Sequence, residues 1–302
     1  MKTVKLPSNY DEVDIDVALC RPVGTPVAVV QLVHGMCGCK DRFYPMMEYF
    51  ARNGVASIAC DLRGHGDSVK SVDDRGYFYS GGYRALVDDI RVVSSWGRQE
   101  FSGVPFYLLG HSMGSMATRV YAKQDDSALS GLIVCGSPSK NPMSGFGQFL
   151  TGAMCLVGLD KSRAGFLQDV TDAIYNKKFS AEGARAWACS NAQSRAEYKN
   201  MPQCNFKFTM NAANNMMKMM RDTYDLNGWS VKNPQMPILF ISGADDPCMI
   251  SKKHFLDSVQ SMQRVGYENV SYSVYPKMRH EVLNEIDRHR VWGEILGFVK
   301  SR

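Results

Sequence analysis

Gly110-His111-Ser112-Met113-Gly114 is a G-x-S-x-G pentapeptide set between an apolar run, residues 106–109, and a helix-forming stretch, residues 112–123. A serine on a strained turn between strand and helix presents its hydroxyl at the end of a sheet. Glycines two residues to either side let neighbouring backbone approach without a Cβ in the way. An unassisted serine hydroxyl is a poor nucleophile at neutral pH, so it needs an imidazole as general base and a carboxylate to orient and stabilise that imidazole. The rest of the 302-residue chain must supply both, together with donors for a developing oxyanion.

In the strand-turn-helix setting of this motif the chain order is serine, then acid, then histidine. Of the six histidines, His34, His65 and His111 precede Ser112, which leaves His254, His280 and His289. His254 falls inside a predicted helix and His289 in the last helix, among charges. His280 closely follows a strand, on a loop, and is the candidate base. Asp245 and Asp246 both follow the strand ending at Gly243; the Asp-Pro turn and the distance from Gly243 favour Asp246, with Asp245 as competitor. The backbone N–H of Met113 is the first oxyanion donor. That of Met36, after His34-Gly35 at the end of an early strand, is the natural second. His34 itself reads as a loop-organising histidine.

These groups can meet only if strands deliver them to one edge. Residues 27–33, 55–60, 106–109, 132–135 and 237–243 are short, almost continuously apolar runs, the pattern of strands buried on both faces. Residues 13–20 open by alternating apolar and acidic side chains, as a half-exposed antiparallel edge strand does, and residues 270–275 alternate as a final strand. Helical spacing appears over 42–53, with Pro45 in the first turn and Gly54 as the stop, and over 82–98, 251–262 and 282–299. Alternating strand and helix imply a parallel sheet with right-handed crossovers. The polar pieces follow strand ends, where open α/β sheets place their sites.

The rhythm breaks over residues 139–233. No strand-like run stands out there; glycines punctuate the early part, and helical stretches follow at 181–190 and 212–222. A segment of that length exceeds an ordinary crossover and reads as a cap over the site. Its cluster Met210, Met216, Met217, Met219 and Met220 offers either an adaptable wall for an acyl chain or packing of cap against core.

Composition narrows the class. Hydrophobic residues at 45% and charged residues at 22% are ordinary for a globular protein, and the net charge of +5 is spread along the chain, which does not point to nucleic acid. No apolar run approaches the roughly 18 to 20 residues of a membrane span, and residues 1–8 hold no apolar stretch, so the expectation is a cytoplasmic protein. Nine scattered cysteines are expected as reduced thiols, mostly small core residues. Cys37-Gly38-Cys39 is the one close pair, and without a second pair it is a weak metal signal.

The strand 27–33 running into His34-Gly35-Met36, the loop 61–68 (Asp61, Arg63, Gly64, His65, Gly66, Asp67 and Ser68), the pentapeptide around Ser112, residues 243–247 and residues 279–285 occur in an order that resembles the α/β-hydrolase superfamily. More narrowly the chain is similar to the monoacylglycerol lipase and lysophospholipase-like branch, sometimes grouped with serine aminopeptidases. The resemblance implies an α/β-hydrolase fold with a mostly parallel eight-stranded sheet flanked by helices. Residues 1–138 and 234–302 would form the core, and residues 139–233 a helical cap inserted after the sixth strand. It also implies a Ser112, Asp246, His280 triad, an oxyanion hole from the Met36 and Met113 amides, and no metal or organic cofactor.

The implied activity is serine carboxylic ester hydrolysis, of monoacylglycerol, lysophospholipid or a similar acyl ester, through an acyl-enzyme. Amide cleavage by a serine aminopeptidase, or acyl transfer, would keep the same intermediate. A non-catalytic hydrolase-fold binding protein would ordinarily lack a triad member, and a haloalkane dehalogenase would carry Asp at position 112. The expected partner is a small acyl ester, with at most peripheral membrane contact through the cap. Fold and triad do not determine substrate; that choice falls to residues 139–233.

Overall fold

In the computed structural model, which describes residues 1–301, the apolar runs become inner strands. β3 (Ala28–Val33), β4 (Val55–Cys60), β5 (Phe106–His111), β6 (Gly131–Cys135) and β7 (Ile238–Gly243) are buried at every position. Strands covered by helices on both faces must be apolar in this continuous way. With β1 (Lys2–Pro7), β2 (Asp14–Cys20) and β8 (Val270–Tyr275) they form the expected eight-stranded sheet, in the order β1-β2-β4-β3-β5-β6-β7-β8. β1 pairs antiparallel with β2 and β2 antiparallel with β4; the other neighbours are parallel.

One expectation about the edge needs correcting. Residues 13–20 lie second in the sheet, and β1 takes the edge. β1 exposes Lys2, Thr3, Lys5 and Pro7 while half-burying Val4 and Leu6. So polar a run carries little strand signal, yet lysine and a closing proline suit an edge because they blunt pairing with another chain.

Side chains alternate between two cores. Val29, Val33 and Leu108 pack on one face with α2 (Gly82–Glu100), α3 (Met113–Gln124) and α8 (Lys252–Arg264); Val30, Leu32 and Leu109 pack on the other with α1 (Tyr44–Arg52) and α9 (Arg288–Lys300). α1 starts with its proline in the first turn and is followed by Gly54 at φ 80°, as its sequence predicts. Among the described residues no helix is long and apolar enough to cross a membrane.

Strand order fixes where chemistry can occur. The chain runs from β3 out to β4 and then returns past β3 to lay down β5, so the order reverses between β3 and β5. At such a switch point the loops leaving two adjacent strand ends diverge and open a crevice. Val33 pairs with Gly110 in this register. The two loops that follow, one through His34, Gly35 and Met36 and the other through Ser112 and Met113, therefore leave the sheet side by side.

Between β6 and β7 lie α4 (Ser144–Met154), α5 (Gly165–Asn176), α6 (Ala192–Asn200) and α7 (Met210–Tyr224). The stretch at 212–222 is helical, inside α7. The helix expected over 181–190 does not form: a 3-10 segment, Lys177–Glu182, ends at Gly183 with φ 98°, and Arg185 also has positive φ, at 55°. The alanines there favour helix, but their carbonyls are claimed elsewhere: Arg279 Nη1 donates to Ala186 O at 2.6 Å and the Glu281 N–H to Ala188 O at 2.7 Å. Tertiary bonding overrides propensity. Within the methionine cluster, Met219 and Met220 are buried with residues of α2 and α3, so these two pack α7 onto the core.

Candidate active site

β5 ends at His111 and α3 begins at Met113, leaving Ser112 at φ 53°, ψ −121°. A non-glycine residue held there costs on the order of 1–3 kcal/mol and persists only where its surroundings over-determine it. They do so here: the Ser112 N–H donates to Cys135 O at 2.9 Å, and its own carbonyl accepts from the Ser115 N–H at 2.9 Å and Oγ at 2.6 Å. The flanking glycines are required by close approach. A Cβ on Gly110 would sit 2.4 Å from Gly114 O, and one on Gly114 would sit 2.3 Å from Val33 O.

The turn aims Ser112 Oγ at His280 Nε2, 2.8 Å away. His280 Nδ1 faces Asp246, at 3.0 Å from Oδ2 and 3.1 Å from Oδ1. Asp246 follows β7 and caps a short 3-10 turn, Pro247–Met249, where its Oδ1 also accepts from the Cys248 N–H at 2.8 Å. Asp245 points elsewhere, pairing with Lys178. Of the two aspartates after β7, only Asp246 meets the imidazole.

Electrostatics separates the histidines. Burial alone would push His280 down, but the Asp246 carboxylate reverses this and holds it well above its usual value. Burial pushes His34, His65 and His111 down, His65 to about 4, and for His111 it outweighs the nearby Glu281 carboxylate. They stay neutral and structural. His111 Nε2 meets His280 O at 3.1 Å and supports the backbone of the candidate base. His254 bonds to Ser251 on α8, and His289 stacks on Trp292 in α9.

The β3 end closes on the serine from the other side. His34 Nδ1 lies 2.8 Å from Gly35 O while Nε2 accepts from the Leu62 N–H at 3.0 Å, so this histidine organises the loop. Among the described residues the N–H groups of Met36 and Met113 donate to no protein acceptor. A Cβ on Gly35 would stand 2.8 Å from Ser112 Cβ. Gly35→Ala is therefore expected to displace the serine and lower kcat by about 10- to 100-fold with little change in Tm, since a misplacement of about 1 Å costs about 100-fold. Turnover of an acyl ester beside a thermal melt checks this; an undiminished kcat would mean that Ser112 accommodates the contact.

The loop 61–68 is scaffold rather than chemistry. Asp61 accepts from Lys40 N at 2.7 Å and Lys40 Nζ at 2.9 Å, and Arg63 Nε donates to Asp89 at 2.7 Å. The first pair braces the turn before α1 and the β3 loop from behind, and the second ties the loop to α2.

Two aromatic side chains cover the imidazole. The Trp187 ring stands 5.4 Å from that of His280, with Tyr175 5.0 Å behind it, and Trp187 Nε1 donates to Asp172 at 3.0 Å. Glu285 accepts from both Ser190 N and Arg279 N, stitching residues 182–190 to the His280 loop. No spacing in the sequence marks Trp187 or Tyr175, although Glu285 belongs to the stretch 279–285. Asp246, Cys248 and His280 also bring a carboxylate oxygen, a sulfur and a ring nitrogen within 4.8 Å of one another, a donor set that suits a thiophilic ion. Asp246 and His280 already bond each other, so an ion would have to displace the proton between them.

Comparison with known proteins extends this picture. Residues 24–287 match the family described as "Serine aminopeptidase, S33". A monoacylglycerol lipase of Mycolicibacterium smegmatis is 23% identical over 93% of this chain and 90% of its own length. An uncharacterized abhydrolase domain-containing protein of Dictyostelium discoideum is 25% identical over 97% of this chain, which spans only 28% of that relative. Among solved structures, a thermostable carboxyl esterase from Bacillus coagulans superposes with a TM-score of 0.90 at 23% identity, covering 99% of this chain and 98% of the other.

Proposed function

The chain belongs to the serine aminopeptidase S33 family, with an α/β-hydrolase fold, and from that premise we propose that it is a serine carboxylic ester hydrolase acting on monoacylglycerol, lysophospholipid or a similar acyl ester. The observation that carries this is the line Ser112 Oγ, His280, Asp246, with contacts of 2.8 Å and 3.0 Å. Ser112 attacks the ester carbonyl as His280 Nε2 takes its proton; Asp246 stabilises the imidazolium. The Met36 and Met113 N–H groups receive the oxyanion, and His280 then protonates the leaving alcohol. Water enters by the same route, gives its proton to His280 and releases the carboxylic acid from the acyl-enzyme.

Residues 139–233 act in this scheme as the cap that selects substrate. Met143, Phe146, Phe149, Leu156, Phe166 and Ile174, on and around α4 and α5, are exposed, and so large an apolar surface supports peripheral contact of the cap with a lipid surface.

The test is a series of p-nitrophenyl esters of rising acyl length, with fluorophosphonate labelling in parallel. Turnover and labelling, both lost in Ser112→Ala, are the expected result. Absence of turnover at every chain length would overturn the proposal.

A further inference from the structure

Behind the β3 loop, a pair of thiols takes no part in the chemistry proposed above. Cys39 and Cys204 lie 165 residues apart in sequence, yet their Sγ atoms are 3.5 Å apart. Cys39 precedes a 3-10 turn, Lys40–Phe43, with extended backbone at φ −148°, ψ 165°, and Cys204 occupies the loop between α6 and α7. Neither is held inside a helix or strand. The approach needed to reach a disulfide bond of roughly 2.05 Å is about 1.5 Å, within range of side-chain rotation and a small loop shift. We propose that Cys39 and Cys204 form a reversible disulfide, closed by peroxide, that ties the segment between β6 and β7 to the β3 loop.

Several features select this pair among the nine free cysteines. Cys39 is the one thiol pushed below its usual value, chiefly by the hydrogen bond from Cys204. Cys204 rises because of that same hydrogen bond, and burial raises the rest, Cys37 to about 12. A cavity of about 340 Å³ has Arg42 and Asn205 in its wall, so it reaches the neighbour of Cys204 and admits a molecule as small as hydrogen peroxide. The Arg42 guanidinium also favours negative charge on Cys204. Cys189 lines the same cavity, but burial pushes its thiol up, away from the reactive thiolate.

The step balances with peroxide as oxidant. The Cys39 thiolate attacks one peroxide oxygen, breaking the O–O bond to give a sulfenic acid and hydroxide, which takes up the proton Cys39 had lost and becomes water. The Cys204 sulfur then attacks the sulfenic sulfur; its proton and the departing hydroxyl leave as a second water. Two thiols are oxidised by two electrons and one peroxide is reduced to two waters. A dithiol reductant reverses the bond by exchange.

The bond would add a covalent tie to a seam now held by hydrogen bonds. The Tyr198 hydroxyl donates to Cys37 O at 3.0 Å, and the Cys37 thiol donates to Phe206 O at 3.1 Å. Met36 lies three residues before Cys39, so the crosslink would fix the cap against the loop that carries a proposed oxyanion donor. Reduced access for bulky acyl esters is the consequence; this consequence rests on the esterase proposal, whereas the crosslink does not.

The reduced protein is treated with hydrogen peroxide at neutral pH, quenched, alkylated without reduction, digested and mapped by mass spectrometry. The expected result is one peptide pair joining Cys39 to Cys204, a loss of two titratable thiols, and a rise in Tm on the order of 5 °C, all reversed by dithiothreitol. Turnover of a long-chain ester should fall severalfold, and that of a butyrate ester less. Cys204→Ser should lose the crosslink and the Tm rise. An unchanged thiol number, oxidation confined to Cys189 or another thiol, or the same Tm rise in Cys204→Ser would overturn the proposal. The mapping on the unmutated protein needs no variant to fold. Should the reduced enzyme turn over no ester at all, the esterase proposal fails while the peptide map still decides the crosslink.

Discussion

Ser112→Ala is expected to lower kcat/KM on acyl esters by on the order of 10⁵–10⁶-fold while leaving the protein folded. Loss of the nucleophile from a triad removes nearly the whole of its joint effect, because histidine and aspartate have nothing left to activate. The residue that remains comes from oxyanion donors and binding, which the substitution does not touch. Stability should change little. The side chain gives up one hydrogen bond, Oγ to His280 Nε2 at 2.8 Å, while the backbone bonds from Ser112 N and to Ser112 O are kept by any residue. Alanine retains the same strained φ of 53°, so no relief of backbone strain confuses the comparison. Kinetics on a p-nitrophenyl ester beside a thermal melt decides it. A loss of less than tenfold in a folded variant would remove Ser112 from the mechanism.

Much of this site lies open in the sequence because its parts obey local rules. A buried parallel strand must be apolar throughout, so Val29 to Val33 and Leu108 to Leu109 announce themselves; the sharp turn at Ser112 needs Gly110 and Gly114, whose contacts with Val33 O and with each other leave no room for a Cβ. His280 is recoverable from chain order and from lying just past a strand end; the same signals leave Asp245 beside Asp246, and the side-chain directions separate them. What is hidden is set by tertiary contact. β1 is too polar to read as a strand, and it forms because β2 offers it a partner. Residues 181–190 carry helix-favouring alanines, yet Arg279 and Glu281 take the carbonyls of Ala186 and Ala188. Trp187 reaches His280 only through that irregular path, and Cys39 meets Cys204 across 165 residues, so neither leaves a periodic trace.

Asp246→Asn should lower kcat by on the order of 10⁴-fold and move the acid limb of activity to lower pH. The amide can donate a hydrogen to Nδ1, favouring the tautomer in which Nε2 carries the proton and cannot accept one from Ser112. Burial and the Asp246 carboxylate are the two largest influences on His280. Burial pushes its proton affinity down, the Asp246 carboxylate overrides burial, and the imidazole stands well above its usual value. Since the base must be neutral to act, wild-type activity is lost as pH falls through that raised value. Without the carboxylate the largest influence opposing burial is gone and only the lesser one of Cys248 is left, so the imidazolium is destabilised and the residual activity persists to lower pH. Stability carries the same sign. Protonated His280 stabilises the wild-type fold below its unfolded value of about 6.5, and the contribution disappears as pH rises through the raised folded value. Asp246→Asn should therefore lose more stability in acid than in alkali. Asp245→Asn serves as the control, because it breaks only a partly exposed pair with Lys178 and should alter kcat by less than about twofold. Profiles of kcat/KM against pH for the three proteins separate the aspartates. A large loss in Asp245→Asn, or an acid limb unmoved in Asp246→Asn, would show that the carboxylate acting on His280 is not Asp246.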